Sequence, residues 1–130
     1  MTQITPTDAL ALAKLFKEAA LAVGQYQLDH WDALAENQRR ELTDTEYAIL
    51  DHSQNLITAA VGVQLDATRT ALAEIQQATA LATQAIQKLQ ELKQVLAVAA
   101  GLVALGAAVV TGNPGSIATV VSSVLALVKT

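Results

Sequence analysis

QVLAVAAGLVALGAAVVTGNPGSIATVVSSVLALV, residues 94–128, contains no ionisable side chain. A helix built from it satisfies its own backbone, but its Val, Leu, Ala and Gly side chains gain nothing from water and everything from a dry surface. Val95 to Thr111 makes a helix of ~25 Å, just under the ~30 Å hydrocarbon core of a bilayer. Gly112, Asn113, Pro114 and Gly115 then stop it, because Gly and Asn accept positive φ and Pro cannot continue the hydrogen-bond ladder. The second arm, Ile117 to Val128, reaches only ~18 Å as a helix. The stretch is therefore expected to fold as an uncharged helical hairpin that leaves water as one unit, with its turn at 112–115.

Small residues recur every four positions on both arms: Ala100, Ala104, Ala108 and Gly112 on the first, Ala118, Ser122 and Ala126 on the second. Ridges of this kind let helix backbones approach closely, so the arms are expected to pack seam to seam along them. That arrangement turns Val95, Val98, Leu102, Leu105, Val109, Val121, Val124, Leu125 and Val128 away from the seam. Each buried Val or Leu is worth ~1.5–3 kcal/mol, so such a face needs a cover. The cover is either a bilayer or the core of a helical bundle.

Upstream, residues 1–93 read as an amphipathic helical unit. Thr5-Pro6-Thr7-Asp8 is a helix start, with Thr5 as cap and Pro6 at the first helical position. Leu12, Phe16, Ala19, Val23, Tyr26, His30 and Ala33 follow at alternating steps of three and four, which predicts a first helix over about 6–40 with one apolar seam. Thr43 and Glu46 form a capping-box pattern, flanked by Leu42 and Tyr47 as a hydrophobic staple, so the turn and the start of a second helix are expected near residue 44. Proline is absent from there to Pro114. Ile75, Thr79, Ala82, Ile86, Leu89 and Leu96 lie on a seam that predicts helix nearly unbroken to Thr111, a rod of ~100 Å. A break near Gly62 is the alternative, and it would give a compact four-helix bundle. The expected class is all-α: a long helical hairpin or elongated bundle, ending in the hydrophobic hairpin of residues 94–130.

This layout, a helical rod running into an uncharged Ala-, Gly- and Val-rich hairpin over Leu89 to Val128, resembles the membrane-insertion head of α-helical pore-forming toxins of the cytolysin A type. The resemblance lies in composition and helix placement. It implies a soluble form, oligomerisation with like or partner helical subunits, and insertion of the hairpin into a lipid bilayer.

Composition narrows the other classes. Aromatic residues make up 3% of the chain and hydrophobic residues 52%, so any core must be filled by aliphatic side chains at close helix spacing. Net charge is −4 with the basic residues scattered, which argues against nucleic-acid binding, since phosphate neutralisation needs a concentrated cationic surface. Cysteine is absent, excluding disulfides and thiolate chemistry. The first residues show no basic segment followed by an apolar run, so the soluble form is expected to be cytoplasmic or released by a non-classical route, and membrane-associated when active.

A catalytic site, a cofactor, a metal and a small-molecule substrate are not expected. Asp29-His30 and Asp51-His52 would approach each other if the first two helices turned at Leu42-Thr43, but neither histidine has the Glu three residues before it that a di-metal bundle site uses. The serines have no histidine at helical spacing, and the turn at 112–115 lacks the lysine of a phosphate loop. Two function classes remain: a membrane-active helical protein of pore-forming or toxin-like character, and a soluble, non-catalytic scaffold or adaptor that buries the hairpin in a bundle core or a homo-oligomer interface.

Overall fold

Pro6 opens the first helix, α1 (Pro6–Asp29), in a computed structural model that describes residues 6–59, 68–88, 91–111 and 114–128. The capping residue expected at Thr5 lies outside the described residues. The α1 seam is buried as its spacing requires: Leu12, Phe16, Ala19, Val23 and Tyr26 all lie in the core. The seam stops there, because the chain leaves the helix at His30 rather than continuing to residue 40.

No Gly or Pro makes this turn; side chains do. The His30 imidazole stacks on the Tyr26 ring at 4.1 Å, and its Nδ1 lies 3.0 Å from the Tyr26 carbonyl. A single 3₁₀ turn, Trp31–Ala33, follows. Arg39 Nε donates to the Trp31 carbonyl at 3.0 Å while its guanidinium sits 4.3 Å over the indole, joining cation–π attraction to a charge-assisted hydrogen bond. The Ala35 N–H donates to Gln38 Oε1 at 2.8 Å, the reach-back half of a capping box, and Leu34 tucks into the core. α2 (Glu36–Ala59) starts here, with Glu36 favourably placed at the positive end of the helix.

The expected capping box at Thr43 is therefore interior to α2. Thr43 Oγ1 instead donates to Gln27 Oε1 at 3.2 Å across the α1–α2 contact, Leu42 is buried, and Tyr47 is exposed. Glu46 lies over Gly24, where any side chain on α1 would collide with its carboxylate. Lower down, Ser53 Oγ donates to the Ala13 carbonyl at 2.7 Å in a buried hydrogen bond. These three contacts fix α1 and α2 as an antiparallel pair.

The long rod does not form. α2 ends at Ala59 and the next helix, α3 (Thr68–Lys88), begins beyond a segment that includes Gly62 and lies outside the described residues. The C-terminal turn of α3 comes back beside that of α1, since Ile86 and Gln87 line a cleft with Ala22, Tyr26 and His30. Its buried stripe is Ile75, Thr79, Ala82 and Ile86, with the Thr79 hydroxyl satisfied by the Ile75 carbonyl. Helix is broken again at Glu91, which is non-helical and whose carbonyl accepts the Val95 N–H at 3.1 Å. α4 (Leu92–Thr111) then descends beside α2, and α5 (Pro114–Val128) returns.

Helical phase explains why helix is broken at Glu91. At about 100° per residue, the buried stripe of α3 and that of α4, which is Val95, Val98, Leu102, Leu105 and Val109, differ by roughly 150°. One straight helix would point these faces to opposite sides, so the chain must turn to bury both. Among the described residues the result is a bundle of five helices in which α1 packs on α2 and α3, α2 on α4, α4 on α5 and α5 on α3. Phe16, Leu12, Leu42, Ile49, Ile75, Leu102, Leu105 and Ile117 fill its centre.

Burial raises the Glu46 carboxyl above its ordinary pKa. The unfolded chain releases this proton at the ordinary value, so Glu46 favours folding most at low pH, and that contribution is lost as pH rises through the raised value. Glu46→Gln should gain stability over the wild type at neutral pH. In urea titrations at low micromolar protein the gain should shrink to nothing below the ordinary carboxylate range. A difference that stays constant with pH would show that burial of the charge is not its source.

Candidate functional site

The uncharged stretch forms two helices, α4 and α5, and their orientation is the main correction to the sequence reading. Val95, Val98, Leu102, Leu105 and Val109 on α4, with Val121 and Val124 on α5, are buried in the bundle, and Leu125 and Val128 are half-buried at its edge. The small-residue ridges face the other way: Ala100 and Ala104 on α4, and Ala118, Ser122 and Ala126 on α5, are exposed, while Ala108 is buried. The expected seam between the arms is thus largely an outer surface. The energetics favour this choice, since each Val or Leu turned inward gains ~1.5–3 kcal/mol whereas an Ala methyl gains ~0.8. Burial of the large faces against the other helices is the bundle-core cover the sequence allowed; the pairing of the small-residue ridges with each other is what the structure corrects.

Close approach between the arms is made one position from the expected ridge. At Gly101, a methyl group would sit 3.1 Å from Val124 and 3.4 Å from Leu127. On α5 the Thr119 hydroxyl donates to the Gly115 carbonyl at 3.0 Å and the Ser123 hydroxyl to the Thr119 carbonyl at 3.1 Å. Hydroxyls satisfied within their own helix do not depend on water, so they add little cost in a dry setting. Pro114 and Gly115, expected in the turn, belong to the first turn of α5, where Pro is well tolerated. Gly112 and Asn113 lie outside the described residues.

α4 comes close to α2 at Gly106. A Cβ there would lie 2.8 Å from Cβ and Cγ of His52 on α2, and the imidazole fills the space a side chain would take. His52 Nδ1 is buried and has no hydrogen-bond partner. The one histidine that touches the apolar hairpin is thus held by packing, with a polar atom left unsatisfied at a cost. His30 is not brought near it: with the turn at 30–35 rather than 42–43, His30 ends α1 while His52 stands beside the lower half of α4. Among the described residues no three His, Asp or Glu side chains gather in a way that would hold a metal ion.

A second, polar cleft of about 250 Å³ opens where α1 and α3 end, lined by Tyr26, Asp29, His30, Gln25 and Gln87. Gln25 Nε2 donates to Asp29 Oδ1 at 2.8 Å, which holds the carboxylate at the rim, and burial raises the Tyr26 phenol above its ordinary pKa. Hydrogen bonds to neighbours one helical turn away account for the Gln25, Asp29 and His30 side chains.

By length and composition the 19 residues Leu92–Val110, with mean hydropathy 1.9, suffice to cross a membrane, and 44% of that span is buried inside the bundle. The Gly115–Val128 arm is apolar but shorter. Bundle packing at the two glycines differs in a measurable way. Gly106→Ala forces the His52 Cβ to move and should destabilise the fold by about 1–3 kcal/mol, even after the ~1 kcal/mol that Ala gains over Gly in a helix. Gly101→Ala meets only side-chain ends and should change stability by less. Chemical denaturation of both variants checks the order, and equal losses would refute the Gly106–His52 contact. In comparison with known proteins, no family model, no curated protein and no solved structure matches this chain.

Proposed function

We propose that the protein is membrane-active: it stores the α4–α5 hairpin in a soluble helical bundle and inserts it into a lipid bilayer as a non-catalytic, pore-forming or toxin-like component acting with further copies or partner helical subunits. The observation that carries this reading is the pairing of a charge-free hairpin with an apolar mode of storage. Val95, Val98, Leu102, Leu105, Val109, Val121 and Val124 are sheltered by other aliphatic side chains. Lipid tails are as apolar as those side chains, so exchanging one cover for the other loses little hydrophobic free energy, whereas exposure to water loses most of it. Helical backbone carries its hydrogen bonds with it into lipid. The resemblance of the uncharged Ala-, Gly- and Val-rich hairpin in composition to the insertion head of cytolysin A-type toxins supports the same reading, although the rod of that layout is absent, and a cytoplasmic or non-classically released soluble form is its natural source.

A soluble scaffold is the second reading, favoured by the burial of the hairpin's large side chains inside this bundle. The exposed ridge separates the two. Ala104 is exposed near the middle of α4, so Ala104→Lys leaves the soluble bundle intact. In a bilayer a lysine at that depth costs ~2.5–3.5 kcal/mol. Purified protein should float with liposomes and release an entrapped dye, and Ala104→Lys should fold normally by circular dichroism yet lose both activities. Absence of flotation at every lipid composition and pH tested would leave the scaffold reading standing, as would a variant that floats as well as the wild type.

A further inference from the structure

α1 carries a second seam, on the side opposite its core-facing one. Leu10, Lys14, Lys17, Leu21, Gly24 and Leu28 follow one another at alternating steps of four and three, the spacing of a helix-packing stripe, and Trp31 stands just beyond the helix end in the 3₁₀ turn. The bundle leaves it bare: Leu10 is 52% exposed, Leu21 59%, Leu28 67% and Trp31 45%. Lys14 and Lys17 are exposed beside them. Near the upper end, Leu21, Gly24, Leu28 and Trp31 join Glu46 of α2 around a groove of about 360 Å³. The missing side chain at Gly24 makes the groove, and the Glu46 carboxylate lies in it. Glu46 has no ion-pair partner among the described residues.

We propose that a second copy of this chain occupies the stripe, forming a two-fold symmetric dimer with the two α1 helices antiparallel and Lys17 of each copy reaching Glu46 of the other. Charge and register select this occupant. With Leu21 beside the axis, residue 17 of one copy faces residue 24 of the other, so each lysine enters the groove that holds Glu46. The same register places the exposed Leu21 side chains together at the centre. The Lys17–Glu46 pairing then occurs twice, as a two-fold interface demands. A parallel pairing would instead stack Lys14 on Lys14 and Lys17 on Lys17. The stripe runs ~27 Å along the helix and is one helix wide, which falls short of the ~800 Å² per partner of a stable complex, so the dimer is a weak one. It forms in buffer, without lipid and without movement of the hairpin, so its fate is independent of the membrane reading.

Sedimentation and cysteine capture test it. In dilute buffer at roughly 200 μM the wild type should sediment with doubled mass, reverting to monomer at low micromolar concentration and in high salt. Lys17→Glu and Glu46→Lys should each weaken association at least tenfold, and the double variant Lys17→Glu/Glu46→Lys should recover it, because the swap restores both ion pairs. The chain has no cysteine. Leu21→Cys treated with a mild oxidant should therefore be captured as a covalent dimer, while Ser123→Cys, exposed on α5, should not. Circular dichroism confirms that each variant folds. A wild type that stays monomeric throughout, a charge swap that fails to rescue, or Ser123→Cys capture as efficient as that of Leu21→Cys would each overturn the proposal. Binding of a foreign helix in place of a second copy would appear as the monomeric outcome.

Discussion

No side chain of α4 or α5 between Gln94 and Val128 can bear a charge, and the architecture is a response to that constraint. An ordinary surface helix has a wet face and a dry one, and its burial is a matter of rotation. These two helices have only larger and smaller apolar faces. The bundle spends its burial capacity on the larger ones and leaves the alanine ridges to water, where little is lost. The other three helices are arranged to make this possible: the α1–α2 pair, tied by Ser53 to the Ala13 carbonyl and by Thr43 to Gln27, supplies a wall for α4, and α3 supplies one for α5.

Helical content, the apolar seam of α1 and the stretch that forms α4 and α5 were legible from spacing and charge alone. Turns were not. The one at 30–35 contains no glycine or proline and is assembled by Arg39 and Trp31, residues eight apart whose partnership exists only once the chain has reversed. The stronger local pattern at Thr43 and Glu46 points to a helix start, yet a capping box is worth about a kilocalorie and is outweighed by burying Leu42 and Leu34 on the same side. The break at Glu91 was available in principle, because the stripes of α3 and α4 are out of phase along the sequence. A seam drawn through Leu89 and Leu96 that passes over Lys93 conceals that shift.

The orientation of the hairpin was misread for a different reason. Small-residue ridges are informative where a helix has one neighbour, since close approach is then the chief source of contact. α4 has neighbours on several sides, and only single glycines are needed at the tight points. Gly101 admits α5 and Gly106 admits the His52 ring, while the repeated alanines are not used for either contact.

The phase shift between α3 and α4 also governs what other shapes the chain can take. Were α3 and α4 to merge into one straight helix, it would be two-sided, with Ile75 and Ile86 pointing one way and Leu102 and Leu105 nearly the opposite way. Such an element is insoluble by itself at either face. It becomes comfortable only between two different media, with protein along one flank and hydrocarbon along the other, which makes extension of this helix conditional on where the molecule stands.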